Sequence, residues 1–229
     1  MNEIIRQRKS IRRYDKTPLD DGTLDKVRER ISNLTPLYPE LPYSVDIANK
    51  TKGLLVQGSG ASTFLVFRGE ESPVSYENIG FIGQQMDLYF SANGLGSCWL
   101  GMAKPDEKGE LPYIISMAFG KPAERLHRSL SEFKRKPLSE VSEGDDERLE
   151  AARLAPSGMN AQGWHFAAKE GTILCYRKKS GIMPEKLGCI DMGIALWHIA
   201  SESDGFRFSK ELDAPERKGF IYAGTVGKV

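Results

Sequence analysis

Arg153-Leu154-Ala155-Pro156-Ser157-Gly158-Met159-Asn160-Ala161-Gln162-Gly163-Trp164 is the stretch on which the reading of this chain turns. A helix arriving from Asp145 breaks at Ala155-Pro156-Ser157-Gly158, because proline fixes φ and the glycine behind it frees the backbone again. Asn160 and Gln162 follow, two amides that donate and accept at once. Trp164 then opens an apolar run. Held between a helix and a strand, these polar groups suit the edge of a flat ring bearing alternating carbonyls and nitrogens. They equally suit a connection whose amides only satisfy backbone groups.

Working outward, the N-terminus carries a second unusual cluster. Ile4 to Lys9 reads as a short helix, and Arg8, Lys9, Ser10, Arg12 and Arg13 place four cations and a hydroxyl within six residues. A phosphate wants such a set, each charge-assisted hydrogen bond contributing about 1.5–3 kcal/mol; a solvated basic face would look the same. After Pro18 a helix capped by Asp20 or Asp21 carries the stripe Leu24, Val27, Ile31 and Leu34, and proline-rich Thr35 to Pro42 ends it. Leu54 to Val56 and Phe64 to Phe67 read as strands around Gln57-Gly58-Ser59-Gly60, a hairpin turn, since no third glycine follows at dinucleotide spacing. Tyr76 to Asn93 is the longest helical stretch and stops at Asn93-Gly94. Ser97 to Leu100 and Tyr113 to Phe119 read as strands, and Ala123 to Lys136 as an arm crossing the surface.

Composition narrows the function classes. The 229 residues, 40% hydrophobic, allow one large domain or two small ones. Thirty-two basic residues meet 31 acidic ones, so no global field points to nucleic acid or membrane. The start Met1-Asn2-Glu3 lacks a signal-peptide pattern and no apolar run spans a bilayer, which makes the cytoplasm the expected location. Cys98, Cys175 and Cys189 form no CxxC pair and share no ligand spacing with His127, His165 and His198. Reduced thiols, and neither a disulfide framework nor a metal site, are expected.

The Ala155-Pro156-Ser157, Asn160, Gln162, Trp164 pattern resembles the APSxxNxQPW loop of the FMN-binding nitroreductase family. Arg8 to Tyr14 is similar to that family's RRSIRxF start; Gly94 to Gly101 and the segment from Gly120 to Leu138 match less specifically. The resemblance implies an α+β nitroreductase-like fold with mixed or antiparallel sheets flanked by helices. It implies that Arg8, Lys9, Ser10 and Arg135 hold the FMN phosphate and ribityl chain, and that Arg12 sits by the flavin N1 and C2 carbonyl. Leu100 and Gly101 would pass the N5 edge, and Pro156, Ser157, Gly158 and Asn160 would border the ring. No side chain need be catalytic, because flavin N5 carries the chemistry. NAD(P)H would reduce the flavin, and an electron-poor small molecule such as a nitroaromatic or quinone would reoxidise it. The alternatives are a non-catalytic FMN protein for sensing, storage or delivery, and a structural protein that binds no flavin.

One departure from the family pattern is instructive: more than half the chain separates the basic motif from the loop. Short echoes recur in order along the two halves. Lys9-Ser10-Ile11 answers to Arg128-Ser129-Leu130, Thr63 to Arg68 to Thr172 to Arg177, Asn78-Ile79-Gly80 to Asp191-Met192-Gly193, and Tyr113 to Lys121 to Phe220 to Lys228. We therefore expect two nitroreductase-like repeats, 1–122 and 123–229, mimicking in one chain the family homodimer. The first copy supplies the phosphate motif and the second the ring-edge loop, giving one FMN per chain. A monomeric pseudo-dimer follows, with a homodimer also open.

Overall fold

The computed structural model describes residues 3–53, 56, 58–179, 181, 184–211 and 213–227. In chain order the first half comprises α1 (Glu3–Gln7), α2 (Asp21–Ser32), β1 (Tyr43–Ala48), β2 (Thr51–Lys52), β3 (Thr63–Gly69), α3 (Pro73–Ala92), β4 (Gly96–Leu100), β5 (Lys104–Pro105) and β6 (Tyr113–Gly120). The second comprises α4 (Leu138–Val141), β7 (Ser142–Glu143), α5 (Arg148–Leu154), β8 (Trp164–Lys169), β9 (Thr172–Lys178), α6 (Glu185–Ala200), β10 (Arg207–Ser209) and β11 (Phe220–Gly227). The α+β expectation holds.

Local chemistry sets the helix boundaries. Asp20 caps α2 by accepting from the Thr23 N–H at 2.8 Å. Ser72 caps α3, with Pro73 in its first turn where the missing N–H has no helical partner anyway. Strand β3 is buried along its whole length, as a strand covered on both faces must be.

The expected hairpin at Gly58 needs correcting. Leu54, Leu55 and Gln57 lie outside the described residues, and Val56 sits in a turn whose N–H and C=O bond within the loop. Strand β3 instead pairs antiparallel with β1, in the register Tyr43 opposite Gly69 to Ala48 opposite Phe64. Tyr43-Ser44-Val45-Asp46-Ile47 alternates apolar and polar residues, the mark of a half-buried edge strand; the prolines just before it obscured that signal. The glycine loop has a different task. Ser59 C=O accepts from the Tyr14 N–H at 2.8 Å, and any Cβ at Gly60, whose φ is 80°, would overlap the Tyr14 carbonyl. The loop is a buttress for the N-terminal segment.

Two sheets flank a central helix pair. One has the order β1-β3-β6-β4; the other has β10-β11-β9-β8-β7. Read from β8, the second sheet runs β8-β9-β11-β10, the same course as the first, with the helix inserted after the second strand in each. The short β7 adds a parallel strand beside β8; the other named pairings are antiparallel. Helices α3 and α6 meet at unusually close range. A Cβ at Gly80 would overlap the Ile190 carbonyl, and one at Gly193 would overlap the Glu77 carbonyl. The step from Gly80 to Gly193 equals the step from Glu77 to Ile190, so the contact is reciprocal. One buried cluster joins Leu19 and Val27 to Phe81, Met86, Phe166, Ile194 and Val226 across both sheets.

Candidate functional site

Past α1 the chain runs extended between β4 and the arm. Ile11 N–H donates to Ser97 C=O, Ala123 N–H to Arg13 C=O, and Arg128 N–H to Gln7 C=O, each at about 3 Å. Ile11 and Tyr14 are buried, which turns Lys9, Ser10, Arg12 and Arg13 away from that core. Glu124 gathers this face: its carboxylate accepts from the backbone N–H of Arg12 at 2.9 Å and of Arg13 at 3.2 Å, and pairs with the Lys9 ammonium at 3.1 Å. Arg8 faces His127 across an isolated antiparallel bridge. Its guanidinium is buried, with Nε donating to Asp87 at 2.5 Å and Nη2 to Ser10 Oγ at 3.0 Å.

The second side of the site is the loop after α5. Ala155, buried and extended, ends the helix because the next residue is proline. Met159, Asn160 and Gln162 then take left-handed φ values of 51°, 57° and 49°, a conformation that costs a non-glycine residue roughly 1–2 kcal/mol. A dense set of bonds holds them there. Ser157 Oγ accepts from the Gln162 N–H at 2.9 Å. Gln162 Oε1 accepts from the Lys136 N–H at 2.7 Å, and its Nε2 donates to Asn160 C=O at 3.0 Å. Asn160 Oδ1 accepts from Arg135 at 2.6 Å, and its Nδ2 donates to Lys134 C=O at 2.8 Å. Beneath the loop, Gly158 N–H donates to the Asp191 carboxylate at 2.9 Å. Burial pushes that carboxyl up to about 7, against the pull of the Gly158 bond.

Arm, N-terminal segment and loop enclose a cavity of about 560 Å³. The N-terminal segment contributes Arg8, Lys9, Ser10 and Arg12; the loop contributes Pro156, Ser157, Met159 and Asn160; the arm adds Arg125, Arg128, Glu132, Lys134 and Arg135. Seven cations thus face one space. Asp87 neutralises Arg8, Glu124 neutralises Lys9 and Glu132 neutralises Arg125. Among the described residues, Arg12, Arg128, Lys134 and Arg135 form no ion pair. Burial lowers Arg135 to about 9, with Arg8, Arg128 and Arg153 repelling its charge, and burial with Arg8 lowers Arg128 to about 10. Arg128 and Arg135 lie by the Phe133 ring, at 3.6 Å and 5.6 Å respectively, and Arg135 Nε is buried without an acceptor. This arrangement is short of negative charge.

A family model described as "Putative TM nitroreductase" matches residues 1–203. The chain belongs to this nitroreductase family. The crystal structure of a "putative nitroreductase" from Thermotoga maritima MSB8 is 21% identical and aligns over 98% of this chain and 90% of its own, at a TM-score of 0.66. That likeness shows the fold. An FMN-dependent nitroreductase from Clostridium difficile R20291 aligns over 58% of this chain and 95% of its own, at 15% identity and a TM-score of 0.43. A "putative NADH oxidase" from Clostridium acetobutylicum aligns over the same shares, at 15% identity and a TM-score of 0.47. Among curated proteins none matches the chain.

In this member of the nitroreductase family the cavity brings together Arg8, Lys9, Ser10, Arg12, Arg135, Pro156, Ser157 and Asn160 from the sequence reading. Leu100, Gly101 and Gly158 are not among its lining. Leu100 packs with Ile11, Phe64 and Ala118, Gly101 lies beside Leu187, and Gly158 directs its N–H inward to Asp191. Gln162 is buried with both amide ends engaged by the protein, the bland of the two readings for that side chain. Sequence reasoning passed over Arg125, Arg128 and Lys134, although Lys134-Arg135-Lys136 is a visible charge run in the arm. Among the described residues no helix is long and apolar enough to cross a membrane, and no cluster of His, Cys, Asp or Glu is arranged to hold a metal.

Proposed function

We propose that this nitroreductase is an FMN-dependent oxidoreductase whose cavity holds the flavin phosphate between the N-terminal segment and the arm, with the ring toward the loop at Pro156. The observation that carries this reading is the set of four unneutralised cations, one with an orphaned buried N–H, around a single cavity. A phosphate dianion supplies both the charge and the acceptors. Arg8, Arg128 and Arg135 would grip it, Ser10 would donate beside them, and Arg12 would stand by as the charge that favours a reduced, anionic ring. The chemistry such a flavin supplies when bound is hydride transfer at its N5, between NADH or NADPH and an electron-poor acceptor such as a nitroaromatic or a quinone. The loop's left-handed residues, locked by the arm, would keep that edge of the site rigid.

The matched course of the two sheets, and the reciprocal glycines of α3 and α6, support reading the chain as a duplicated unit, with 1–122 supplying the phosphate side and 123–229 the loop. On this reading one chain makes one site and a monomer suffices. A second reading, a flavin carrier with little turnover, draws on one observation: the Asn160 amide is engaged by Arg135 and Lys134, leaving fewer free groups to read a ring. The visible spectrum of the purified protein, followed by heat release and flavin quantification, tests the main proposal. A yellow protein with one FMN per chain that oxidises NADH or NADPH with a quinone supports it. Bound FMN without turnover favours the carrier, and a colourless protein indifferent to added FMN overturns both.

A further inference from the structure

We propose that Asp87, Gln84 and His198 form a buried positioning relay that fixes Arg8 as one of the groups selecting a phosphorylated flavin over an unphosphorylated one. This rests on the reading of the cavity as a flavin phosphate site. An arginine has many rotamers, and a selective phosphate site needs one. Arg8 is 1% exposed, with Nε on Asp87 Oδ2 and Nη2 on Ser10. Asp87 is equally enclosed: Oδ1 accepts from Ser97 Oγ at 2.6 Å, and Oδ2 also accepts from Gln84 Nε2 at 3.0 Å. The Gln84 carbonyl accepts from Trp99 Nε1 at 3.3 Å, which fixes which end of the amide points where.

The second Gln84 N–H meets His198 Nε2 at 3.0 Å. On the far side His198 Nδ1 lies 2.8 Å from Ala151 C=O. A carbonyl only accepts, so Nδ1 carries the hydrogen and Nε2 presents its lone pair to Gln84. Every bond in the relay therefore has one direction. Burial lowers His198 to about 3, so it stays neutral and the pattern holds across ordinary pH. Ala151 lies in α5, the helix that runs into Pro156. The phosphate anchor of the first half and the loop of the second thus hang on one chain of hydrogen bonds. A buried ion pair is an expensive way to fill a core, and the redox chemistry gives these side chains no task of their own. Positioning accounts for them.

The test is to titrate the flavin-free protein with FMN and with riboflavin, following flavin fluorescence, in the wild type, Asp87→Asn and Ser97→Ala. The relay predicts that the wild type prefers FMN. It predicts that Asp87→Asn lowers the FMN-to-riboflavin affinity ratio about tenfold with riboflavin affinity nearly unchanged, a difference of about 1.4 kcal/mol. Ser97→Ala removes only the Oδ1 donor, is expected to shift the ratio in the same direction, and carries the test if Asp87→Asn does not fold. A folded variant whose ratio is unchanged, or that loses both flavins equally, overturns the relay and leaves these side chains structural. A wild type with no preference for FMN overturns the phosphate reading itself, and the relay with it.

Discussion

Arg135 concentrates the chemistry of the site. It bonds Asn160 and the Leu154 carbonyl, faces Arg8 and Arg128, and keeps one buried N–H without a partner. Arg135→Met should weaken FMN binding by about 10- to 100-fold, the loss of one charge-assisted bond at about 1.5–3 kcal/mol; riboflavin affinity measured in parallel should barely move. Asp191 makes a different prediction. Its carboxyl titrates near 7 in the folded protein against an ordinary 3.8, so the folded state binds that proton more tightly than the unfolded chain. The stability it confers is complete below about pH 4 and declines as pH rises to about 7, after which the loss levels off. Asparagine at 191 keeps an acceptor for the Gly158 N–H and has no proton to lose. Asn78 already does that work on α3, accepting from the Leu37 and Tyr38 N–H groups at 2.8 and 3.1 Å. Asp191→Asn should therefore gain on the wild type by roughly 2–4 kcal/mol between pH 4 and pH 7, read from denaturant unfolding at each pH. An advantage that does not grow across that window would show the carboxyl to be unperturbed.

At the level of elements, the α3–α6 contact is the most exacting. Gly193→Ala places a methyl on the Glu77 carbonyl, where the neighbour is backbone and cannot swing aside. It should cost about 1–3 kcal/mol or more, measurable as a fall in melting temperature. Elements with strong local signals were legible in the sequence: the capped α2, the long α3, β4 and β6. The strand β1 was not, because prolines precede it, and the apolar Leu54 to Val56 competed for its place. The loop at Pro156 was found by its amides, yet their partners were unreadable. Asn160 and Gln162 bond to Lys134, Arg135 and Lys136, and which distant segment an amide meets is decided by tertiary packing. For the same reason Arg128 was read only as the echo of Lys9: the backbone bonds and bridges that tie the arm to the N-terminal segment, Arg8 to His127 among them, bring it to the cavity.

For the whole molecule, both walls of the cavity belong to one chain. FMN affinity should therefore be independent of protein concentration on dilution from micromolar to nanomolar, whereas a site shared between two chains would lose flavin as they part. The core cluster that runs from Leu19 to Val226 through both sheets predicts one cooperative urea transition, with far-ultraviolet dichroism and tryptophan fluorescence superimposing, since Trp99 reports on one sheet and Trp164 on the other. Separated midpoints would mean that the halves unfold independently.

The seam between α3 and α6 also bears on how such a protein can change over generations. Where two identical chains meet across a symmetry axis, every substitution lands twice, and an alteration that helps one side must be tolerated on the other. If the chain is a duplicated unit, as proposed, Asn78 and Asp191 occupy matched places and already differ, as do Arg8 and His127. On that reading each side of the seam would be a separate locus for selection, so one face could be refined for a ligand while its counterpart drifts or is recruited to bracing the fold.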